Sequence, residues 1–209
     1  DFYWCYKPTE DTIMVAVVDC TGHGVPGAFM SSIGNALLNE MVIEKSIIVP
    51  GKVLDGMRDG VIRALKQGPH SISRDGMDMS LVHIDYSTKL VQFSGAGNPL
   101  WIVRNDTILE IKGDKQPVAY AKFEMTPFTT HTVDLVEGDQ LYMFSDGFPD
   151  QFGGPKGKKY KYKTLKSFLI SIRDISMKSQ EYKLLEGFES WKGDLEQVDD
   201  VCVIGIRVG

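Results

Sequence analysis

Four aspartates lie at the ends of apolar segments of this sequence, where a folded sheet can bring carboxylates together. Asp19 follows the apolar run 13–18 and precedes a glycine-rich turn, and Asp146 closes a second apolar run before another glycine. Asp199 stands just ahead of a third such run, and Asp1 opens the chain beside three aromatic residues. Each could be an ordinary turn or cap residue by itself. Carboxylate oxygens are the ligands that hard divalent ions prefer, so the four together predict a Mg²⁺ or Mn²⁺ site.

The chemistry that such a site supports is the transfer of a phosphoryl group to water. Two divalent ions about 3.5–4 Å apart clamp a phosphoryl oxygen and lower the pKa of a bridging water, so that no protein nucleophile is needed. The sequence contains no GxSxG elbow, no Cys/His pairing and no P-loop. Glycines around Asp19 let the backbone approach a ligand closely. A plain strand-to-helix turn is the alternative for that segment.

The composition is that of an ordinary globular protein and excludes several classes. The 209 residues are 43% hydrophobic and 24% charged, which suits one domain with a substantial core. A net charge of −5 argues against a nucleic-acid binder. No apolar run approaches the roughly 20 residues that span a bilayer, so direct membrane insertion is not expected. Three scattered cysteines do not make a disulfide framework, which favours a reducing, cytoplasmic compartment.

Apolar periodicity predicts an α+β fold in which packed antiparallel sheets carry helices on the outside. Helical spacing begins at Pro26, covers 51–67, and returns over 164–177 and 180–191. Closely spaced short strands, separated by turn residues, imply antiparallel meanders and not βαβ crossovers. The predicted strands are 13–19, 77–86, 89–94, 100–104, 107–111, 128–134, 140–144 and 201–208.

One segment has an unusual charge. Residues 156–166, KGKKYKYKTLK, carry six lysines directly after a Gly-Gly-Pro turn. A solvated loop is the usual meaning of such a run. A docking surface for an acidic partner is the alternative.

Several blocks of the sequence resemble, in the right order, the motifs of a known family. That family is the bacterial stage II sporulation protein E type of metal-dependent serine/threonine phosphatase, which is similar to type 2C phosphatases. The resemblance covers essentially the whole chain, and its fold is an αββα sandwich of two packed antiparallel sheets flanked by helices. The blocks are DFYW at 1–4, VVDCTGHG at 17–24, RDGMDMSL at 74–81, GAGNPL at 95–100, SDG at 145–147 and QVDDV at 197–201.

The resemblance implies a role for each motif aspartate. Asp19 would bridge two Mn²⁺ or Mg²⁺ ions, and the backbone carbonyl of Cys20 would be a further ligand. Asp1 would complete the shell of one ion, while Asp146 and Asp199 would bind the other. A hydroxide that bridges the ions would then attack the phosphorus of phosphoserine or phosphothreonine in line.

Two further residues, His23 and Asp78, have two interpretations each. His23 is a candidate proton donor to the leaving alkoxide, or it stabilises the turn. Asp78 is a candidate ligand of a third, weaker ion, or it has a structural role at a strand end. Asp200 is less suited to metal binding than Asp199, by comparison with the terminal Asp-Asp pair of the family.

The resemblance also implies a biological setting and partners. The substrate would be a phosphorylated signalling protein, such as an anti-sigma-factor antagonist, and an attached N-terminal sensor domain would switch the activity. We expect residues 1–209 to form a single phosphatase domain, cut from the C-terminal part of a larger protein and lacking the first strand of the family. Other segments of that protein could tether it to a membrane, and a homodimer stays open. The alternatives are a catalytically silent regulatory module and a hydrolase of small phosphoesters.

Overall fold

The computed structural model describes residues 1–22, 24–71 and 74–209. The helices are α1 (Gly24–Leu38), α2 (Pro50–Ala64), α3 (Gly147–Asp150), α4 (Tyr162–Ile172) and α5 (Met177–Lys192), and a π-helical segment, Asn39–Glu44, continues α1. The strands are β1 (Phe2–Thr9), β2 (Thr12–Cys20), β3 (Met77–Asp85), β4 (Leu90–Ala96), β5 (Leu100–Arg104), β6 (Thr107–Ile111), β7 (His131–Asp134), β8 (Gln140–Phe144), β9 (Phe152–Gly153), β10 (Lys158–Lys159) and β11 (Val203–Arg207).

The first sheet has the strand order β1-β2-β3-β4-β7, and its neighbouring strands are antiparallel. Successive side chains of a strand point to opposite faces of the sheet. In β2, Met14, Ala16 and Val18 pack with the residues of α1 and α2. Val15 and Val17 pack with residues of the other sheet. Because both faces of β2 are buried, the strand is a continuous apolar run in the sequence and not an alternating one.

The second sheet has the antiparallel strand order β11-β8-β5-β6. Ile102 and Met143 face the first sheet and complete the apolar layer between the two sheets. On the opposite face, Trp101, Tyr142 and Phe144 pack with α4 and α5. The layers are therefore helix, sheet, sheet and helix, and the α+β prediction with two packed antiparallel sheets is confirmed. None of the described helices has the length and apolarity to cross a membrane.

Two segments differ from the sequence-based expectation. The pattern predicts no strand at the N-terminus, yet β1 lies at an edge of the first sheet and pairs with β2. Only Trp4 of this strand is fully buried, so its sequence lacks the apolar run that marks the inner strands. The lysine-rich residues 156–166 form β10 and the first turn of α4 in place of a plain loop, because buried Tyr160 and Leu165 anchor them to the core.

Candidate metal centre

The first sheet places three aspartates at one end of its strands. The N-terminal end of β1 lies beside the C-terminal end of β2, where Phe2 pairs with Val18. In the next ladder, Asp19 at the end of β2 lies directly opposite Asp78 at the start of β3. Residues opposite each other in antiparallel strands share one face of the sheet. Asp1, Asp19 and Asp78 are therefore held at the same end of three neighbouring strands.

The second sheet places Asp146 and Asp199 at the corresponding end of its strands. The last residue of β8, Phe144, pairs with the first residue of β11, Val203, so the segments that carry the two aspartates run side by side. The Ser145 amide donates to the Cys202 carbonyl at 3.0 Å, and the Cys202 amide donates to Oγ of Ser145 at the same distance. These two hydrogen bonds continue the ladder beyond the ends of the strands.

Gly147, directly after Asp146, allows the two segments of the second sheet to approach closely. A Cβ atom at this position would collide with the backbone carbonyl of Asp200. The glycine of the SDG motif is therefore required by packing at the site.

The strand ends of the two sheets meet in a cleft of about 330 Å³. Its lining contains four of the acidic residues, Asp19, Asp78, Asp146 and Asp199. Cys20, Thr21, Gly22, Arg74, Gly76, Met77, Pro117 and Val198 complete the lining. Three of the strand-end aspartates, Asp19, Asp146 and Asp199, thus converge in the cleft, and Asp78 lies among them.

The carboxylates of the cleft perturb one another. Burial, followed by repulsion from Asp146, Asp199 and Asp78, raises the pKa of Asp19 to about 6, against a hydrogen bond from the Asp146 backbone that lowers it. Burial and the charge of Asp146 likewise raise the pKa of Asp78 to about 6. The pKa of Asp146 is raised by burial and by its acidic neighbours. A cation at this position would relieve both the repulsion and the desolvation.

Asp1 lies next to the cleft and has a carboxylate with an unsatisfied oxygen. Its side chain is only 7% exposed, and its Oδ2 atom has no hydrogen-bond partner. The backbone nitrogen of Asp1 is 3.0 Å from Oδ2 of Asp200, whose side chain is mostly exposed. A buried carboxylate oxygen without a partner is costly unless a ligand satisfies it. Asp1 therefore fits the role of a metal ligand better than Asp200 does.

All of the site assignments stay predictions. Among residues 1–22, 24–71 and 74–209, no group of three or more His, Cys, Asp or Glu side chains is already arranged to hold an ion. The thiol of Cys20 is buried and accepts a hydrogen bond from Ser31 at 3.7 Å, so the proposed ligand remains its carbonyl. His23, the candidate proton donor, lies outside the described residues.

Two residues at the cleft were not assigned a role from the sequence. Arg74 is exposed, lines the cleft, and forms no ion pair with any residue that the structure describes. Its position within RDGMDMSL was the available signal. Tyr162, at the start of α4, has its pKa raised to about 12 by burial and by Asp146, Asp150, Asp19 and Asp78. Only the fold places this tyrosine within reach of the carboxylates.

Two buried glutamines hold the loops on either side of the cleft. Gln151 donates to the Glu196 carbonyl at 2.9 Å and accepts from the Val198 amide at 3.1 Å, directly before Asp199. Gln67 donates to the Asp75 carbonyl at 2.6 Å and accepts from the Tyr120 amide at 2.9 Å, beside Arg74. Each glutamine thus fixes a backbone segment that carries a residue of the cleft.

Comparison with known proteins agrees with this geometry. The model of the stage II sporulation protein E family matches residues 9–209. Phosphoserine phosphatase RsbP of Bacillus subtilis (strain 168) is 23% identical over an alignment of 211 residues, which covers 100% of this chain and 49% of that protein. The solved SiaA-PP2C domain of Pseudomonas aeruginosa is 24% identical with a TM-score of 0.90, covering 100% of this chain and 80% of that one. RsbX in complex with magnesium is 14% identical with a TM-score of 0.62, covering 97% and 85%.

The fold is that of PP2C phosphatase domains, and the cleft lies where the strand ends of the two sheets meet. The chain belongs to the stage II sporulation protein E family. It spans about half the length of the curated relative that it matches.

Proposed function

We propose that this domain is a metal-dependent protein serine/threonine phosphatase. The observation that carries the proposal is the convergence of Asp19, Asp78, Asp146 and Asp199 in one cleft, next to the buried carboxylate of Asp1. Membership in a family with PP2C-type relatives, one of them named a phosphoserine phosphatase, supports the same reaction.

The residues of the cleft fit divalent cations. The unsatisfied Oδ2 atom of Asp1 and the raised pKa values of Asp19 and Asp78 are what a cation would compensate. Oxygen donors without imidazole or thiolate favour Mn²⁺ or Mg²⁺ over zinc, and a relative of the same fold was solved with magnesium. Asp1, Asp19, the Cys20 carbonyl, Asp146 and Asp199 would hold two ions, and Asp78 a third, weaker one. When bound, these ions supply Lewis acidity toward the phosphoryl oxygens and the attacking water.

The protein's own groups would position the phosphoryl group and its leaving oxygen. Arg74 is a cation in the lining and can donate to two phosphoryl oxygens at once. Gln67 holds the backbone carbonyl of Asp75, the residue directly after Arg74. His23 is proposed as the proton donor to the departing serine or threonine oxygen, as the motif VVDCTGHG suggests. Among the described residues of the lining, no hydrogen bond joins the Cys20 thiol or the Thr21 hydroxyl to a basic side chain, so attack by water is the route that these residues support.

The substrate and setting follow from the family. We propose a phosphoprotein of bacterial sigma-factor signalling, such as an anti-sigma-factor antagonist, as the substrate. Because the matched relative is about twice as long as this chain, we further propose that an N-terminal sensor or regulatory domain controls the activity. The cysteines at positions 5, 20 and 202 are free thiols, which agrees with the reducing cytoplasm as the location.

The test is phosphatase activity of the purified domain on a phosphoserine peptide and on p-nitrophenyl phosphate, with Mn²⁺, with Mg²⁺ and with EDTA. We expect turnover that requires the metal and that is lost in Asp146→Ala. Unchanged turnover in EDTA or in Asp146→Ala would contradict the proposal. Calorimetric binding of Mn²⁺ without turnover of either substrate would favour the catalytically silent module.

A further inference from the structure

Five lysines lie on one short segment, here called the lysine hairpin, which consists of residues 152–163. It carries Lys156, Lys158, Lys159, Lys161 and Lys163, all exposed, in a chain whose net charge is −5. Lys159 pairs with Asp150 at 2.7 Å. The other four form no ion pair with any described residue. The hairpin is thus an uncompensated basic patch on an acidic domain.

The lysine hairpin is fixed to the domain by hydrogen bonds and is not a free loop. Its amides at Tyr160 and Lys161 donate to the carbonyls of Gln151 at 2.9 Å and Pro149 at 2.7 Å. At the turn, the Gly154 amide donates to the Trp191 carbonyl at 2.8 Å. The ring of buried Tyr160 packs edge-on against Trp191, with 5.1 Å between the ring centres. Binding to a preorganised surface costs less ordering entropy than binding to a mobile one.

Lys161 is held in an unfavourable backbone conformation. Its φ angle is +74°, in the region that residues other than glycine rarely adopt. The same residue begins α4 and keeps its side chain exposed at the junction between the hairpin and the helix. Strain of this kind persists where the surrounding structure over-determines it, and it gathers at functional surfaces.

The lysine hairpin lies beside the cleft. Pro149 and Asp150, which bind its base, belong to α3 directly after Asp146. Tyr162, which follows Lys161, is close enough to Asp146, Asp19 and Asp78 for their charges to act on its hydroxyl. A phosphoprotein whose phosphoserine entered the cleft would therefore place its neighbouring surface over the lysines.

We propose that the lysine hairpin is a docking surface for an acidic patch of the phosphoprotein substrate, next to the phosphorylated residue. This inference rests on the proposed function and adds a property of the substrate, namely acidic side chains close to the phosphoserine. Charge complementarity of this kind steers encounter and sets the register of the bound partner. The negative charge of the rest of the domain disfavours any acidic partner elsewhere, so the patch also limits the orientation of docking.

The test compares two variants with the same net charge. Lys158→Glu/Lys163→Glu reverses two charges of the lysine hairpin. Lys7→Glu/Lys52→Glu reverses two exposed lysines in β1 and at the start of α2, far from the hairpin. The substrates are a phosphoserine peptide flanked by Glu and Asp, a peptide flanked by Ser and Gln, and p-nitrophenyl phosphate. KM and kcat are measured with saturating Mn²⁺ at low and at 0.5 M salt (about a 4 Å screening length).

For the hairpin variant we expect KM for the acidic peptide to rise on the order of tenfold, because two exposed ion pairs with the peptide are lost and charge reversal adds repulsion at both positions. The neutral peptide, p-nitrophenyl phosphate and kcat should change little, and high salt should remove the difference. The control variant should behave like the original chain. Retained turnover of p-nitrophenyl phosphate also shows that the variant is folded.

Two results would overturn the docking proposal: an unchanged KM for the acidic peptide in the hairpin variant, and an equal rise of KM in both variants. If KM is unchanged while the hairpin variant loses binding to anionic phosphatidylserine vesicles, the lysines form a membrane-binding surface instead. Absence of turnover of every substrate by the unmodified domain would instead overturn the proposed function, and the docking proposal with it.

Discussion

The two sheets contribute their carboxylates to the cleft in different ways. On the first sheet, Asp19 and Asp78 are members of hydrogen-bonded strands and lie opposite each other in register. On the second sheet, Asp146 and Asp199 lie outside β8 and β11, in segments that connect the strands to other elements. One half of the site is therefore built from a ladder, and the other half is built from loops.

The difference teaches where the site can adjust. Asp19 and Asp78 are paired with each other in the ladder between β2 and β3, and their pKa values are raised to about 6 by burial and by the charges of neighbouring carboxylates. Asp199 follows a segment that is held mainly by the side chain of Gln151. We expect the first half to set the position of a bound ion and the second half to set its affinity.

The largest expected effect comes from the ladder half. Asp19→Asn should lower kcat/KM for p-nitrophenyl phosphate on the order of 10³-fold, since the stabilisation that bound ions supply is several kcal/mol and each 1.4 kcal/mol is tenfold. Asp199→Asn should lose less, and more of that loss should be recovered by raising the Mn²⁺ concentration. Steady-state kinetics over a Mn²⁺ titration measure both variants. Equal losses with equal recovery would remove the distinction between the two halves.

An intermediate effect is expected from the glutamines behind the two halves. Gln151→Met keeps the volume of the side chain but removes its bonds to residues 196 and 198, so Mn²⁺ affinity should fall about 10–100-fold, as for other residues that orient metal ligands. Calorimetry with Mn²⁺ measures this directly, and thermal melting checks the fold.

Gln67→Met is the matched variant on the other side of the cleft. Since Gln67 fixes the Asp75 carbonyl next to Arg74, its loss should raise KM for phosphorylated peptides and leave Mn²⁺ affinity nearly unchanged. If both glutamine variants weakened Mn²⁺ binding to the same extent, the assignment of separate roles to the two loops would be wrong.

The smallest expected effect is the pH dependence of stability without metal. Asp19 and Asp78 have pKa values of about 6 in the folded chain against 3.8 as the ordinary value. Between these pKa values the folded state binds more protons than the unfolded state. The contribution of these two groups to the free energy of unfolding is therefore largest at low pH and falls as pH rises from about 4 through 6. Melting in EDTA from pH 4.5 to 7.5 should show a declining Tm, with a flatter profile in Asp19→Asn. A rising profile that Asp19→Asn leaves unchanged would contradict it.

Much of the architecture was accessible from the sequence because burial leaves a pattern. The inner strands β2 and β8 are nearly continuous apolar runs, and Asp19 and Asp146 were found because they lie at the ends of these runs. The edge strand β1 was missed, since one exposed face and polar alternation give it no such run. The convergence of the carboxylates in one cleft required the register between strands, which no local pattern contains.

The supporting residues of the site were the hardest to predict. Gln151 is an unremarkable polar residue in the sequence, and its value lies in contacts with residues more than 40 positions away. Tyr162 appeared within a lysine run that suggested solvent, and only the packing of α4 on Phe144 places it near the cleft. Six residues keep predicted roles in metal binding or catalysis: Asp1, Asp19, Cys20, His23, Asp146 and Asp199.

The apolar layer between the sheets has a consequence for which ions the domain can use. Asp19 belongs to one sheet and Asp146 follows a strand of the other. The thickness of the apolar layer, formed by residues such as Val17 and Met143, therefore sets the separation between these two proposed metal ligands. Mg²⁺ demands nearly ideal octahedral geometry and short bonds, so it tolerates a misjudged separation poorly. A bulkier side chain in the middle of the sandwich would wedge the sheets apart and disfavour the smaller ion. Residues that do not contact a metal would then determine which divalent ion the domain prefers.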